Sequence, residues 1–155
     1  MNAENDAETV LKNYLSALAE SADIDDYISE DVEYISLNPQ NDELKKIMPW
    51  TGKHQGLAEF KAMYELMKLA CNYVSFDVDL IFGKGESAAA FGNFAYSAKQ
   101  VGSVVSTPFA LLVKVNNGKI TYFQFFEDTY ITASAYRHSG SWNIENSEGK
   151  KAISS

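Results

Sequence analysis

Glu127 and Asp128 close a run that starts at Pro108 and consists of two apolar, β-rich segments joined by a turn at Asn117-Gly118. Asn-Gly is a strong hairpin signal because both residues tolerate positive φ. The hairpin therefore delivers two carboxylates to the end of a strand, beside Phe125 and Phe126. Aromatic neighbours exclude water and raise a carboxyl pKa towards neutrality, which is what a general base needs. Glu127 could instead be a rim carboxylate in water, and Asp128 a local cap for the backbone of Thr129 or Tyr130. With a regular pleat, Phe123, Phe125 and Glu127 share one face, and Tyr122, Gln124, Phe126 and Asp128 the other. Both faces are aromatic, so either could line a pocket.

Tyr14 and Asn93 are the candidates to polarise a substrate oxygen opposite such a base. Tyr14 also fits the apolar stripe of a helix, where it would be a packed phenol. Asn93 alternates with Phe91 and Ala95, and could bind a carbonyl or close a strand irregularity. Trp50, Tyr14, Tyr64, Phe94, Tyr96 and Phe109 form a pool of wall residues for an aromatic cavity, expected at roughly 300 Å³ or more. At least half of the pool should line one pocket between the first helix and the sheet. Period-two parity lets only one of Asn93 and Phe94 face inward. His54 could shuttle protons, but a lone loop histidine is usually only solvated, and His138 lies in a polar tail. No Glu-x-x-His pattern is present, so no metal site is expected. Gly83-x-Gly85 joins two strands rather than a strand and a helix, so it is a turn and not a phosphate loop.

The elements that must position these residues follow from periodicity. A helix is expected over residues 6–20, capped by Asp6, with Val10, Leu11, Tyr14, Leu15 and Leu18 on one face. A short helix capped by Asp23 should span 24–28, and a first strand 32–37. Residues 38–55 read as a long loop, with Pro39, Pro49 and Gly52, and loops of that length are often functional. A helix follows over 56–68, with the stripe Leu57, Phe60, Tyr64 and Met67. Strands are then expected at 74–82, 87–99, 108–115 and 119–127, with 104–106 able to begin the third of them. Short links make sequential strands antiparallel. Helices first and sheet last give the α+β class. Residues 1–136 should form a single domain. Residues 137–155 read as a polar tail, mobile or docked through Trp142.

The 155 residues carry a net charge of −8, which repels a phosphate backbone and makes nucleic acid and anionic membranes unsuitable partners. The lone Cys71 permits no intrachain disulfide or cysteine cluster. The polar, acidic N-terminus is not a signal peptide, and no apolar run approaches the ~20 residues of a membrane span. A cytoplasmic protein is expected. A long sheet that is aromatic on both faces, with helices enough for one, implies a homodimer that buries the other face.

The order helix, short helix, strand, Pro49-Trp50-Thr51-Gly52 with Gly56, helix and long antiparallel meander resembles the nuclear transport factor 2-like (cystatin-like cone) superfamily, and within it the SnoaL-like group. The residues that carry the resemblance are 10–18, 49–52 with Gly56, and 117–120 running on to 126–129. The resemblance implies a curved antiparallel sheet forming a cone around N-terminal helices and enclosing an apolar cavity. It also implies chemistry without a cofactor. Ketosteroid isomerases of that superfamily pair a base Asp with a Tyr and a protonated Asp. Tyr14 matches the Tyr, but Ser36, Leu37 and Asn38 occupy the place of the base and Ala110 that of the second Asp. The cyclase and epoxide hydrolase carboxylate falls on Phe125. Elimination leaves Glu127 or Asp128 as the base of an isomerase, cyclase, dehydratase or hydratase. The missing acids equally suit a binding or accessory protein for a small apolar or aromatic molecule.

Overall fold

The computed structural model describes residues 6–154. Its elements are α1 (Ala7–Ala19), β1 (Ile28–Ser36), α2 (Asp42–Ile47), β2 (Gly52–Gln55), α3 (Leu57–Ala70), β3 (Cys71–Lys84), β4 (Ser87–Ala98), β5 (Val104–Asn116), β6 (Lys119–Glu127), α4 (Thr129–Ser134), β7 (Ser141–Asn146) and β8 (Gly149–Ser154). The fold is α+β, a curved and unclosed sheet with helices on its concave face. Strand order in the main sheet is β2-β1-β6-β5-β4-β3. All neighbours are antiparallel except β1 and β6, which run parallel, with Tyr34 opposite Phe123 and Ser36 opposite Phe125. The expected curved antiparallel sheet is present, with that one parallel pairing within it. No described helix is long and apolar enough to cross a membrane.

α1 forms where the apolar stripe predicts it and buries Val10, Leu11, Tyr14 and Leu15. Asp6 sits at the N-cap position but makes no side-chain capping bond. Instead, Glu8 ties the first turn to the sheet by accepting a hydrogen bond from the Gly83 N–H at 3.0 Å. The inner face of β4 starts with Ala88, Ala90 and Gly92 and continues with Phe94 and Tyr96. Small residues let the helix approach one end of the sheet, and large rings fill the other. At Gly92 the fit is tight: an added Cβ would collide with the Asp77 carbonyl oxygen and lie 2.8 Å from Phe109 Cε1. The sheet curves through bulges in β3 at 73–75 and 78–80 and in β6 at Thr121, opposite Lys114 and Val115. Asn117 and Gly118 take φ of 51° and 74°, as a tight hairpin turn requires.

The short helix expected at 24–28 is absent. Asp23 accepts a bond from the Asp25 N–H, and the chain enters β1 already at Ile28. The expected loop at 38–55 holds α2, whose N-cap Asn41 accepts from the Leu44 N–H, and the edge strand β2. The chain beyond 136 is a separate hairpin of β7 and β8. Trp142 is half exposed there and meets Tyr130 of α4 edge-on at 5.3 Å.

Candidate functional site

The parity of β6 is settled by its partners. Phe123 and Phe125 lie opposite the inward Val113 and Leu111, and Glu127 lies opposite Phe109. Glu127 therefore projects to the concave side, at the end where the rings are large. Trp50 contacts Tyr136 at 5.7 Å, Tyr136 contacts Tyr96, Tyr96 contacts Phe94, and Phe94 contacts Phe109 and Phe125. Phe109 stacks on Phe125 at 5.4 Å and on Phe76 at 4.4 Å. These rings form one continuous aromatic surface around the carboxyl.

Burial in that surface pushes the Glu127 carboxyl from its ordinary 4.5 up to about 7, and the adjacent Asp128 charge adds to the rise. A hydrogen bond from the Thr132 side chain acts the other way. Phenols lie close enough to feel the Glu127 charge from three sides: Tyr34 from β1, Tyr96 from β4, and Tyr136 just after α4. Burial raises all three well above the ordinary phenol value, so each is a neutral O–H donor near pH 7. The Tyr96 hydroxyl donates to the Thr132 carbonyl at 3.3 Å. The Tyr136 hydroxyl is buried and has no hydrogen-bond partner, although the Tyr96 phenol and the Cys71 thiol are its polar neighbours. Burial also pushes the Cys71 thiol up, and it donates to the Met67 carbonyl.

Glu127 also borders an open groove of about 330 Å³, lined with it by Leu37, Asn38, Pro39, Phe126 and Thr129. Leu37 adopts φ of 56°, an uncommon conformation for a large side chain. It ends the parallel pairing by donating its N–H to the Phe125 carbonyl and turns the chain across the groove mouth. None of the six expected wall residues lines this groove. Phe109, Phe94 and Tyr96 instead form a chain of ring contacts that Trp50 joins through Tyr136.

Other expected site residues are placed elsewhere. Tyr14 is fully buried and shares a 2.6 Å hydrogen bond with Tyr64. Burial raises Tyr14 well above its ordinary value and pushes Tyr64 up to about 12. Their hydroxyls serve each other rather than a ligand. Asp128 caps α4 by accepting from the Ile131 N–H at 3.2 Å. Asn93 is exposed on the outer face and donates to Asp79, so Phe94 takes the inward position. His54 lies on β2 opposite Tyr34, held at 3.2 Å from the Trp50 carbonyl. Sequence reasoning missed Tyr34, Tyr136 and Thr132. The alternation Val32, Tyr34, Ser36 carried a signal for the first; the others sit in a six-residue helix and at its exit.

A curved sheet folded over its N-terminal helix defines an NTF2-like α+β cone. An NTF2-like protein of Burkholderia thailandensis has the same fold, with a TM-score of 0.75 at 17% identity over 85% of this chain and 98% of that one. TerC, crystallised with polyporic acid, superposes with a TM-score of 0.68 at 14% identity over 82% of this chain and 95% of its own. Within that class the chain belongs to the SnoaL-like domain family, whose model matches residues 12–123. It is 35% identical to patulin synthesis protein F of Aspergillus clavatus over 70% of this chain, and 35% identical to patulin biosynthesis cluster protein F of Penicillium expansum over 81%. The chain spans 57% and 65% of the lengths of those two relatives.

Proposed function

We propose that this protein binds a small, largely apolar molecule at the Glu127 groove and performs acid–base chemistry on it without a cofactor. Isomerisation, cyclisation, dehydration and hydration are the reactions this chemistry serves. The observation that carries the reading is the Glu127 carboxyl, buried near the phenols, raised to about 7, and belonging to a residue that borders the groove. At that value it is half ionised near neutrality and can take a proton from carbon or oxygen and return it. Tyr136, whose hydroxyl lies beside the Tyr96 phenol and the Cys71 thiol, is the donor we assign to a substrate oxygen that enters between the rings, in place of Tyr14. The names of the patulin relatives support a biosynthetic role. Residues 1–136 would form the working domain and the β7–β8 hairpin an appendage.

The test is proton exchange. Small cyclic enones incubated with the protein in deuterated buffer should gain deuterium next to the carbonyl, read by NMR. Glu127→Gln should lower that rate by about 10²-fold or more, and Tyr136→Phe by a smaller factor. Binding of such probes with no exchange above buffer would favour the second reading, a non-catalytic binding or accessory protein. That reading has its own support: Phe125 and Ala110 stand where the resemblance places carboxylates.

We also propose a homodimer through the outer sheet face. Phe82 and Phe91 stack there at 6.0 Å and, with Leu80 and Phe126, remain exposed, which is unusual for a monomer. Light scattering should give twice 17.2 kDa, and a mass at the monomer value would refute it.

A further inference from the structure

The outward side chains of β3 to β6 fall into rows across the sheet, and the rows are sorted by charge. At the end formed by the β3–β4 and β5–β6 turns, Lys84 lies opposite Ser87, Ser87 opposite Lys114, and Lys114 opposite Tyr122. The Lys114 ammonium sits over the Tyr122 ring at 5.1 Å, so both stand on one face. Two largely apolar rows follow. The first runs Phe82, Ala89, Leu112 and Gln124, and the second Leu80, Phe91, Ala110 and Phe126. The next row holds Asp77, Asn93 and Pro108, and Asn93 donates to Asp79 at 3.2 Å. All four of these lysine and aspartate side chains are exposed, as are Leu80, Phe82, Phe91 and Phe126. A basic row and an acidic row therefore flank an apolar centre. Nearby acids do not cancel the basic row: Glu33, opposite Tyr122 on β1, is paired with Lys53 at 2.7 Å, and Glu86 lies in the turn beyond it.

We propose that a second copy of the chain docks on this face, turned so that the basic row of each copy lies over the acidic row of the other. A two-fold interface sets one surface against itself, and sheets packed face to face keep their strands within about 30° of each other. Two orientations meet both conditions. A two-fold axis parallel to the strands stacks lysines on lysines and aspartates on aspartates. An axis across the strands reverses the order of the rows. Lys84 and Lys114 then meet Asp77 and Asp79 twice, once at each end, and the apolar rows meet between them. Opposite charges fix the register of such a complex and like charges disfavour its alternative. The net charge of −8 opposes association of two copies in general, so local complementarity of this kind is what selects the contact. Phe126 ends one apolar row and also borders the Glu127 groove, so the covered surface reaches the edge of the candidate site.

This inference rests on the homodimer proposed above, and the experiment separates the two. Sedimentation equilibrium at ~0.1 M salt compares three chains: the wild type, Lys84→Glu with Lys114→Glu, and a four-site variant that adds Asp77→Lys and Asp79→Lys. Reversing the lysines turns both charged contacts repulsive and should weaken dimerisation by about 100-fold or more. Part of that loss should return at ~1 M salt, where the repulsion is screened. The four-site variant exchanges the rows and should restore the wild-type dissociation constant to within about tenfold. A wild-type chain that stays at 17.2 kDa would refute the homodimer, and the orientation with it. A wild-type dimer that the lysine reversal leaves intact would overturn the orientation alone, because an axis parallel to the strands keeps like charges facing in both chains. A four-site variant that remains a monomer would overturn it as well. If the lysine reversal impairs folding, Lys84→Gln with Lys114→Gln carries the comparison; it should weaken the dimer by about tenfold, and an unchanged dissociation constant would overturn the orientation.

Discussion

Replacing Glu127 by Gln should stabilise the protein at alkaline pH even as it removes the proposed base. The unfolded chain ionises this carboxyl near 4.5, whereas the folded chain holds its proton up to about 7. Between those values the folded state binds more protons, so stability falls as pH rises, and above about 7 the loss is complete. At ~1.4 kcal/mol per pH unit, the interval amounts to roughly 3 kcal/mol as an upper bound, reduced by whatever water reaches the carboxyl through the groove. The amide of Gln has the same shape and no charge, so it escapes this loss. Urea unfolding of both proteins at steps between about pH 4 and 9 isolates the effect, because the carboxylates distant from Glu127 are common to the two and cancel in the difference. The two curves should converge at the acid end, and the variant should be more stable by about 2–3 kcal/mol at the alkaline end. Curves that stay parallel throughout would refute the reasoning, since Glu127 would then titrate as a solvated acid.

Asp128→Asn should keep both stability and activity, because Asn caps a helix as well as Asp, whereas Asp128→Ala should cost about 1 kcal/mol; loss of activity in the Asn variant equal to that of Glu127→Gln would show that Asp128 acts chemically. Tyr14→Phe leaves the Tyr64 hydroxyl without its buried partner and should cost about 1–2 kcal/mol in urea unfolding while sparing proton exchange. Gly92→Ala should destabilise by about 3 kcal/mol or more, because the new methyl meets backbone that cannot yield; a melting temperature close to wild type would show that the β3 bulge relaxes.

Legibility in the sequence tracked the strength of the local signal. α1 was plain because five apolar residues recur at helical spacing, and β6 because Asn-Gly fixes one end and the Glu-Asp pair the other. α2 was hidden behind Pro39 and Pro49, whose turn chemistry masks the cap at Asn41. α4 contains Thr129, Ile131 and Thr132, β-branched residues that read as strand. The β7–β8 hairpin offers only the short alternation of Trp142 and Ile144 to find. The resemblance carried the fold, but the site depends on contacts between distant segments. Which face of β6 points inward is decided by β1 and β5 together. Whether Tyr14 or Tyr136 offers a free hydroxyl depends on where Tyr64 lies, and no pattern within α1 encodes that.

The parallel pairing of β1 with β6 also bears on how the molecule is made. β3 to β6 join neighbour to neighbour and can zip up as the chain lengthens. β1 must wait for a strand about ninety residues further on, and closing so long a loop carries an entropic penalty that slows folding. During synthesis, the apolar face of α1, with Val10, Leu11, Tyr14 and Leu15, has no sheet to cover it until β3 to β5 have emerged. That interval is the chain's exposure to aggregation and to chaperones. Tyr34 and Ser36 reach β6 only in the closing event, so a partly folded chain would lack the completed surroundings of Glu127. If Glu127 is the proposed base, incomplete folding would therefore silence it.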